Sequence, residues 1–286
     1  MDNRAVSVEH YENFPVASIL CPPRLRPAVA AIYRFARTAD DMADEGDADA
    51  EQRLGDLARY RAALRRCQDD GGSGAGWPQV FEPLAQTLRR HQLPLVLLED
   101  LLDAFVQDVH NPRYADRAAL LDYCRRSANP VGRLLLHLYG IDDRASLQAS
   151  DAICTALQLI NFWQDLSLDL PRGRCYVPLA DAARHGVGLE ALLAAGAGGS
   201  TDQRRRGLLR ELVAWARTTM LEGAPLARRL PGRAGWELRL VVQGGLRILE
   251  KIEGMNFDAF DHRPVIRRAE GPLLLWRAVA WRVAPP

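Results

Sequence analysis

Apolar positions recur along the chain at helical rather than strand spacing. Arg26-Pro27 places a proline where the first turn of a helix tolerates it, and Val29, Ile32, Tyr33 and Ala36 follow at i, i+3, i+4 and i+7. The same periodicity predicts helices near 50–68, 79–91, 94–109, 116–138, 145–169, 203–222, 235–252 and 271–283. Between them lie short breaks: DDGGSGAGWP at 69–78, HNPR at 110–113, DLPRGRCYVP at 169–178 and AGAGGSTD at 195–202. None has the length or composition of an interdomain linker and no repeat period is apparent. The expectation is one all-α domain over residues 1–286. No run of about 18 apolar residues is present to span a bilayer. The tail GPLLLWRAVAWRVAPP suits either the core or a membrane surface, and core packing is the expectation.

Composition alters this picture little. Hydrophobic content of 48% and charged content of 26% are those of an ordinary globular protein. A net charge of +1 argues against a polyanion binder working through bulk electrostatics, so no nucleic-acid partner is expected. The five cysteines are widely spaced without a C-x-x-C pair, which reads as reduced thiols in a cytoplasmic protein. MDNRAVSVEH lacks the apolar stretch of a signal peptide, and none is expected. The glycine clusters at 71–76 and 196–199 follow no predicted strand, so neither is a dinucleotide fingerprint.

Candidate chemistry lies in the acidic residues. In RTADDMADEGD five carboxylates crowd into the eight positions 40–47, at the end of a mostly apolar helix. Asp40 and Asp44 share a face, and Tyr33 and Arg37 continue that stripe backwards; Asp41 is rotated off it. Glu45 and Asp47 read as loop solvation. The pattern recurs in CTALQLINFWQDLSLDL, where Gln158, Asn161, Asp165 and Asp169 are spaced by 3, 4 and 4 among Leu159, Ile160, Phe162, Trp163, Leu166 and Leu168. A helix apolar around most of its girth is buried, and unpaired buried carboxylates are costly. The polar stripe is therefore expected to face a cavity containing cations. Two facing sets of Asp and Asn oxygens suit Mg²⁺, which takes one or two carboxylates and completes its shell with water and phosphate. Arg37, Arg125, Arg126, Arg172 and Arg174 are candidate diphosphate partners.

At these residues the chain resembles the squalene/phytoene synthase family of head-to-head prenyl-diphosphate enzymes, over roughly His10 to Pro264. The resemblance rests on AIYRFARTADDMADEGD, YCRRSANPVG and LQLINFWQDLSLDLPRGRCYVP, in that order. It implies a single bundle of helices around a central cavity. The family's first aspartate-rich motif falls on Asp40 and Asp44, its second on Asn161, Asp165 and Asp169, and its GR-x-Y-x-P segment on Gly173, Arg174, Tyr176 and Pro178. HYENFPVAS, with Asn13 where condensing members carry serine, resembles the bacterial hopanoid-pathway branch that makes hydroxysqualene. Arg125 stands where condensing members tend to have tyrosine, and Gly244-Gly245 falls near another such position.

The resemblance implies more than one Mg²⁺, held by Asp40, Asp44, Asn161, Asp165 and Asp169, with the four aspartates as the catalytic set. It implies ionisation of presqualene diphosphate, cyclopropylcarbinyl rearrangement and water capture to hydroxysqualene, without NADPH. The implied substrate contacts are His10, Asn13, Tyr33, Arg37, Arg125, Gln158, Arg174 and Tyr176. Phe14, Phe35 and Phe162, with Trp163 and Phe257, are candidate cavity walls, and Asn13 and Asn129 are candidates to position the capturing water. The alternative within the family is condensation of two farnesyl diphosphates to presqualene diphosphate, squalene or dehydrosqualene. A head-to-tail prenyltransferase or terpene cyclase and an inactive scaffold on the same fold are the further rivals. Greasy substrates imply transient contact with the inner membrane face, and other squalene/hopanoid-pathway enzymes are possible partners.

Overall fold

The computed structural model describes residues 21–69, 76–194, 203–281 and 283, and among these every regular element is a helix. His10, Asn13 and Phe14 lie outside the described residues. The order is α1 (Arg26–Asp44), α2 (Ala50–Asp69), α3 (Pro78–His91), α4 (Leu95–Val109), α5 (Arg117–Ser127), α6 (Asn129–Leu138), α7 (Arg144–Gln164), α8 (Leu166–Asp169), α9 (Leu179–Arg184), α10 (Leu189–Leu193), α11 (Gln203–Gly223), α12 (Leu226–Arg229), α13 (Gly232–Gly254) and α14 (Gly271–Ala280).

Two expected helices are each divided, for local reasons. The 116–138 segment breaks at Ala128 because Pro130 has no N–H to offer the Arg126 carbonyl four residues back and its ring crowds that carbonyl, whereas it suits the first turn of α6. The 145–169 segment breaks at Asp165, whose φ of −100° and ψ of 11° leave the helical region before α8 resumes. Side-chain caps secure three N-termini: Asp49 accepts from the Gln52 amide at 2.8 Å, and Asp116 from the Ala119 amide and Asp143 from the Ser146 amide, both at 2.9 Å.

The buried side chains form two clusters. One joins α1–α4 with Leu134 and Leu138 of α6; the other joins α5, α7, α11 and α13 with the segments between them. Between the clusters lies an apolar cavity of about 370 Å³, walled by α1, α6, α7, α12 and α13. The five cysteines are free thiols; four are buried and Cys154 lines this cavity.

Candidate active site

Two helices carry the site. On α1 the residues facing inward are Val29, Ile32, Tyr33 and Ala36, which line the apolar cavity, then Asp40 and Asp44, which line a polar cleft of about 160 Å³. On α7 the same progression runs from Ser150, Ile153, Cys154 and Leu157 in the cavity to Gln158 in the cleft. One stripe on each helix thus changes from apolar to polar at the same level of the bundle. Asn161 is exposed one turn beyond Leu157. Glu237 is the one charged residue in the apolar lining.

Helix C-termini gather at and beside the cleft. Asp40 and Asp44 end α1 and Asp108 ends α4 within its lining, whereas Asp165, which caps α7, lies outside that lining, as do Asn161 and Asp169; none of the three helices has a basic residue in its last turn. Carboxylates there meet the negative end of the helix dipole, the unfavourable placement. Burial, then Asp44, pushes Asp40 up to about 6 against the pull of Arg37. Burial, then Asp165, raises Asp169 to about 6, with Asp44 adding a smaller push. Asp108 reaches about 7 through burial, with Asp40 and Asp44 adding to it, although the Tyr123 hydroxyl donates a 2.8 Å hydrogen bond to its Oδ2. The two acidic motifs therefore sense each other across the cleft.

Arginines divide this negative charge. Arg174 donates to Asp44 at 2.9 Å while its backbone amide bonds the Asp169 carbonyl at 2.9 Å, tying the second motif's loop to the first motif. Gly173 makes that turn with φ of +73°, a conformation glycine adopts without strain. Arg263 pairs with Asp165 at 2.5 Å. Arg37 reaches Asp40 at 2.8 Å, Asp41 at 2.6 Å and Glu45 at 2.7 Å, so Glu45 is a salt-bridge partner rather than loop solvation. Among the described residues no three acidic, histidine or cysteine side chains enclose a metal by themselves. The donor set is nonetheless one of hard oxygens whose mutual repulsion a divalent cation would relieve, and it fits Mg²⁺.

The structure assembles Asp40, Asp44, Gln158, Arg174 and Tyr176 in one lining. It corrects others. Phe35 is fully buried against Tyr60 and Phe81, away from the cavity. Phe162 lies behind Tyr176, stacked at 3.9 Å, and supports that ring instead of lining a cavity. Trp163 is in the core, and Phe257 lies under the Arg210 guanidinium at 4.8 Å. Arg125 is exposed and paired with Asp122 at 2.9 Å, outside both linings. Arg126 is held by Gln107 and Asp122. Tyr33 belongs to the apolar cavity rather than the polar cleft. Asn129 is buried, its Oδ1 accepting from the Thr155 hydroxyl at 2.9 Å. Asp108 was missed: its signal is a carboxylate in the last turn of the apolar LVLLEDLLDAFVQDV, just before the HNPR break.

A pH dependence follows from these shifts. Asp40, Asp108 and Asp169 hold their protons more tightly folded than unfolded, where an aspartate titrates near 3.8. The stability they contribute is full below about pH 4 and is lost as pH rises through about 6 to 7. The melting temperature of chelator-treated protein should therefore fall between about pH 5 and pH 8. A flat or rising profile in calorimetry would show that the like-charge cluster is not formed.

Comparison with known proteins agrees with this geometry. A profile described as Squalene/phytoene synthase matches residues 8–270. The chain is 34% identical over 253 residues to a hydroxysqualene synthase of Sinorhizobium fredii, covering 88% of this chain and 82% of that enzyme. It is 43% identical over 170 residues to one from Zymomonas mobilis, a match that spans only 54% of that enzyme and 58% of this chain. The crystal structure of squalene synthase HpnC from Alicyclobacillus acidocaldarius superposes with a TM-score of 0.77 at 37% identity, covering 87% of this chain and 90% of that one. With the profile spanning nearly the whole length and Asp44 of the first aspartate-rich motif close enough to raise Asp169 of the second, the chain belongs to the squalene/phytoene synthase family.

Proposed function

We propose that this chain is an Mg²⁺-dependent hydroxysqualene synthase, converting presqualene diphosphate and water to hydroxysqualene and diphosphate in squalene/hopanoid biosynthesis. The observation that carries the reading is the pair of stripes on α1 and α7, apolar along the cavity and polar at the cleft, where α1 brings Asp40 and Asp44 and α7 brings Gln158. That arrangement matches a hydrocarbon with a diphosphate head. Identity to hydroxysqualene synthases over most of the chain supports the same reaction.

Asp40, Asp44, Asn161, Asp165 and Asp169 would hold Mg²⁺, which when bound supplies charge stabilisation to a leaving diphosphate. Arg174 contributes a guanidinium held by Asp44 in the cleft, and Gln158 and Tyr176 line the same space. As the C–O bond breaks, the electron pair leaves with diphosphate and the positive charge stays on the hydrocarbon. The walls of Ile32, Tyr33, Ile153 and Leu157 exclude bulk water, so the cation rearranges before one water adds and loses its proton to the diphosphate.

Condensation of two farnesyl diphosphates is the second reading, because the chain is also 30% identical to a phytoene synthase of Thermus thermophilus over 97% of its length. The two readings differ at Gly244-Gly245, near a position where condensing members carry a tyrosine. A Cβ on Gly245 would come within 2.9 Å of Met220 Cε, 3.1 Å of Ile160 Cδ1 and 3.3 Å of Leu157 Cδ2, so a larger residue there asks the ends of these three side chains to shift.

The test is incubation of purified protein with Mg²⁺ and either substrate, without NADPH, followed by mass spectrometry of extracted lipids. Hydroxysqualene from presqualene diphosphate is the expected product. Turnover of farnesyl diphosphate would transfer the assignment to the condensing reaction. Alongside it, inorganic diphosphate should raise the melting temperature only when Mg²⁺ is present, because the acidic cleft repels the bare anion.

A further inference from the structure

α14 is apolar on two opposite faces. Its inner side packs on α13 through Ala278 and continues into Trp281 and Val283 against the core, so core packing holds for that part of the tail only. Its outer side presents Pro272, Leu275, Trp276 and Val279 at i, i+3, i+4 and i+7, one continuous stripe. Leu275, Trp276 and Val279 are 55%, 52% and 59% exposed. A soluble helix ordinarily turns such a stripe inward and its polar residues out. Here the one charged side chain of the helix, Arg277, is held by Glu250 at 2.6 Å.

α13 adds another exposed aromatic, Trp236, 39% exposed, with the Arg239 guanidinium 4.6 Å from its ring and 5.7 Å from that of Trp281, which follows α14. Basic residues rim this surface: Arg233 one turn before Trp236, and Arg267 and Arg268 just ahead of α14, all exposed. Residues 226–286 hold eleven basic and six acidic side chains, an excess of five positive charges in a chain whose total is +1. Tryptophan and leucine on one face, with arginine at the rim, is the composition that settles at the boundary between headgroups and acyl chains.

We propose that the outer face of α14, with Trp236, docks this protein on the surface of an anionic lipid bilayer. Leu275, Trp276 and Val279 enter the acyl boundary and the rim arginines meet the headgroup phosphates. The inner face of α13, through Ala234, Leu238 and Val241, lines the apolar cavity, so docking places one cavity wall beside the lipid. Binding is independent of the reaction; use of this surface to load and unload hydrocarbon rests on the function proposed above.

The experiment is co-sedimentation of the full chain with vesicles of phosphatidylcholine alone or mixed with phosphatidylglycerol, at low and high salt. Partition should favour the mixed vesicles and weaken with salt. Leu275→Glu with Val279→Glu, and separately Arg233→Glu with Arg268→Glu, should each lower it on the order of tenfold or more. Circular dichroism melts and turnover of detergent-dispersed substrate should stay at the parent level. If the leucine–valine pair fails to fold, the exposed arginine pair still reports. Absence of binding to either vesicle, or binding indifferent to lipid charge and to both pairs, would overturn the proposal. So would a dimer in gel filtration that Leu275→Glu dissolves while vesicles bind nothing, which would assign the face to a second copy.

Discussion

Asp40→Asn should lower turnover of presqualene diphosphate on the order of a thousandfold while raising the melting temperature of the metal-free protein near pH 8. Asparagine keeps the shape and one oxygen but removes the charge that would hold a cation over the cleft. Loss of a preorganised electrostatic contact at a developing charge has an effect of that size. The stability change takes the opposite sign because Asp40 sits half-buried beside Asp44, raises the Asp108 carboxyl and is disfavoured at the C-terminal end of α1. Opposite movements of rate and stability separate a ligand from a folding residue, since a residue needed for folding lowers both. Asp40→Asn gives up a contact with Arg37, which keeps Asp41 and Glu45 as partners; Asp165→Asn should lose turnover comparably, but it breaks the pair with Arg263, so its melting temperature is the less informative readout. Retained turnover in Asp40→Asn would remove the first motif from the catalytic set.

Phe35→Ala should cost about 3 to 5 kcal/mol and leave the lipid product unchanged. The ring is fully buried, stacked 5.2 Å from Tyr60 and edge-on to Phe81 at 6.2 Å. Truncation would open a void in the N-terminal cluster, where α1 meets α2 and α3, and the Tyr60 hydroxyl would keep its 3.0 Å bond to the Phe35 carbonyl. Urea unfolding measures the loss, and product analysis on the surviving folded fraction tests the rest. Tyr33→Ala is the contrasting change. It lies two residues earlier on the cavity side of α1, so it should alter the product pattern more than the stability. An altered product from Phe35→Ala at nearly unchanged stability would return that ring to the cavity wall.

These two residues show how far local pattern reaches. α1 is apolar over a wide arc: Ala28, Ala31, Phe35, Ala39 and Ala43 run along the buried core side, and Val29, Tyr33, Ala36, Asp40 and Asp44 along the cavity side. The polar end of the second stripe is visible in the residues, because two carboxylates four apart need a face. The apolar end is not, because Phe35 and Tyr33 suit core and cavity equally until neighbouring helices are placed. Arg125 failed for a related reason: proximity along the chain to YCRRSANPVG did not reveal that α5 turns it outward to Asp122. Arg263 had no local signal, its partner Asp165 lying 98 residues away.

The amino-acid sequence alone determined the helical class, most helix positions and the two acidic motifs with their shared faces, because helical periodicity and turn chemistry act over a few residues. The family also followed from it, through motif spacing. Only the tertiary structure decided that Asp108 joins the cleft, that Arg174 and Arg263 neutralise opposite motifs, that Phe35 and Phe162 support the walls from behind, and that α14 turns an apolar stripe outward. Those outcomes depend on which faces of separate helices meet, and on how burial and like charges add across the space between them. The residues of one helix carry no record of that.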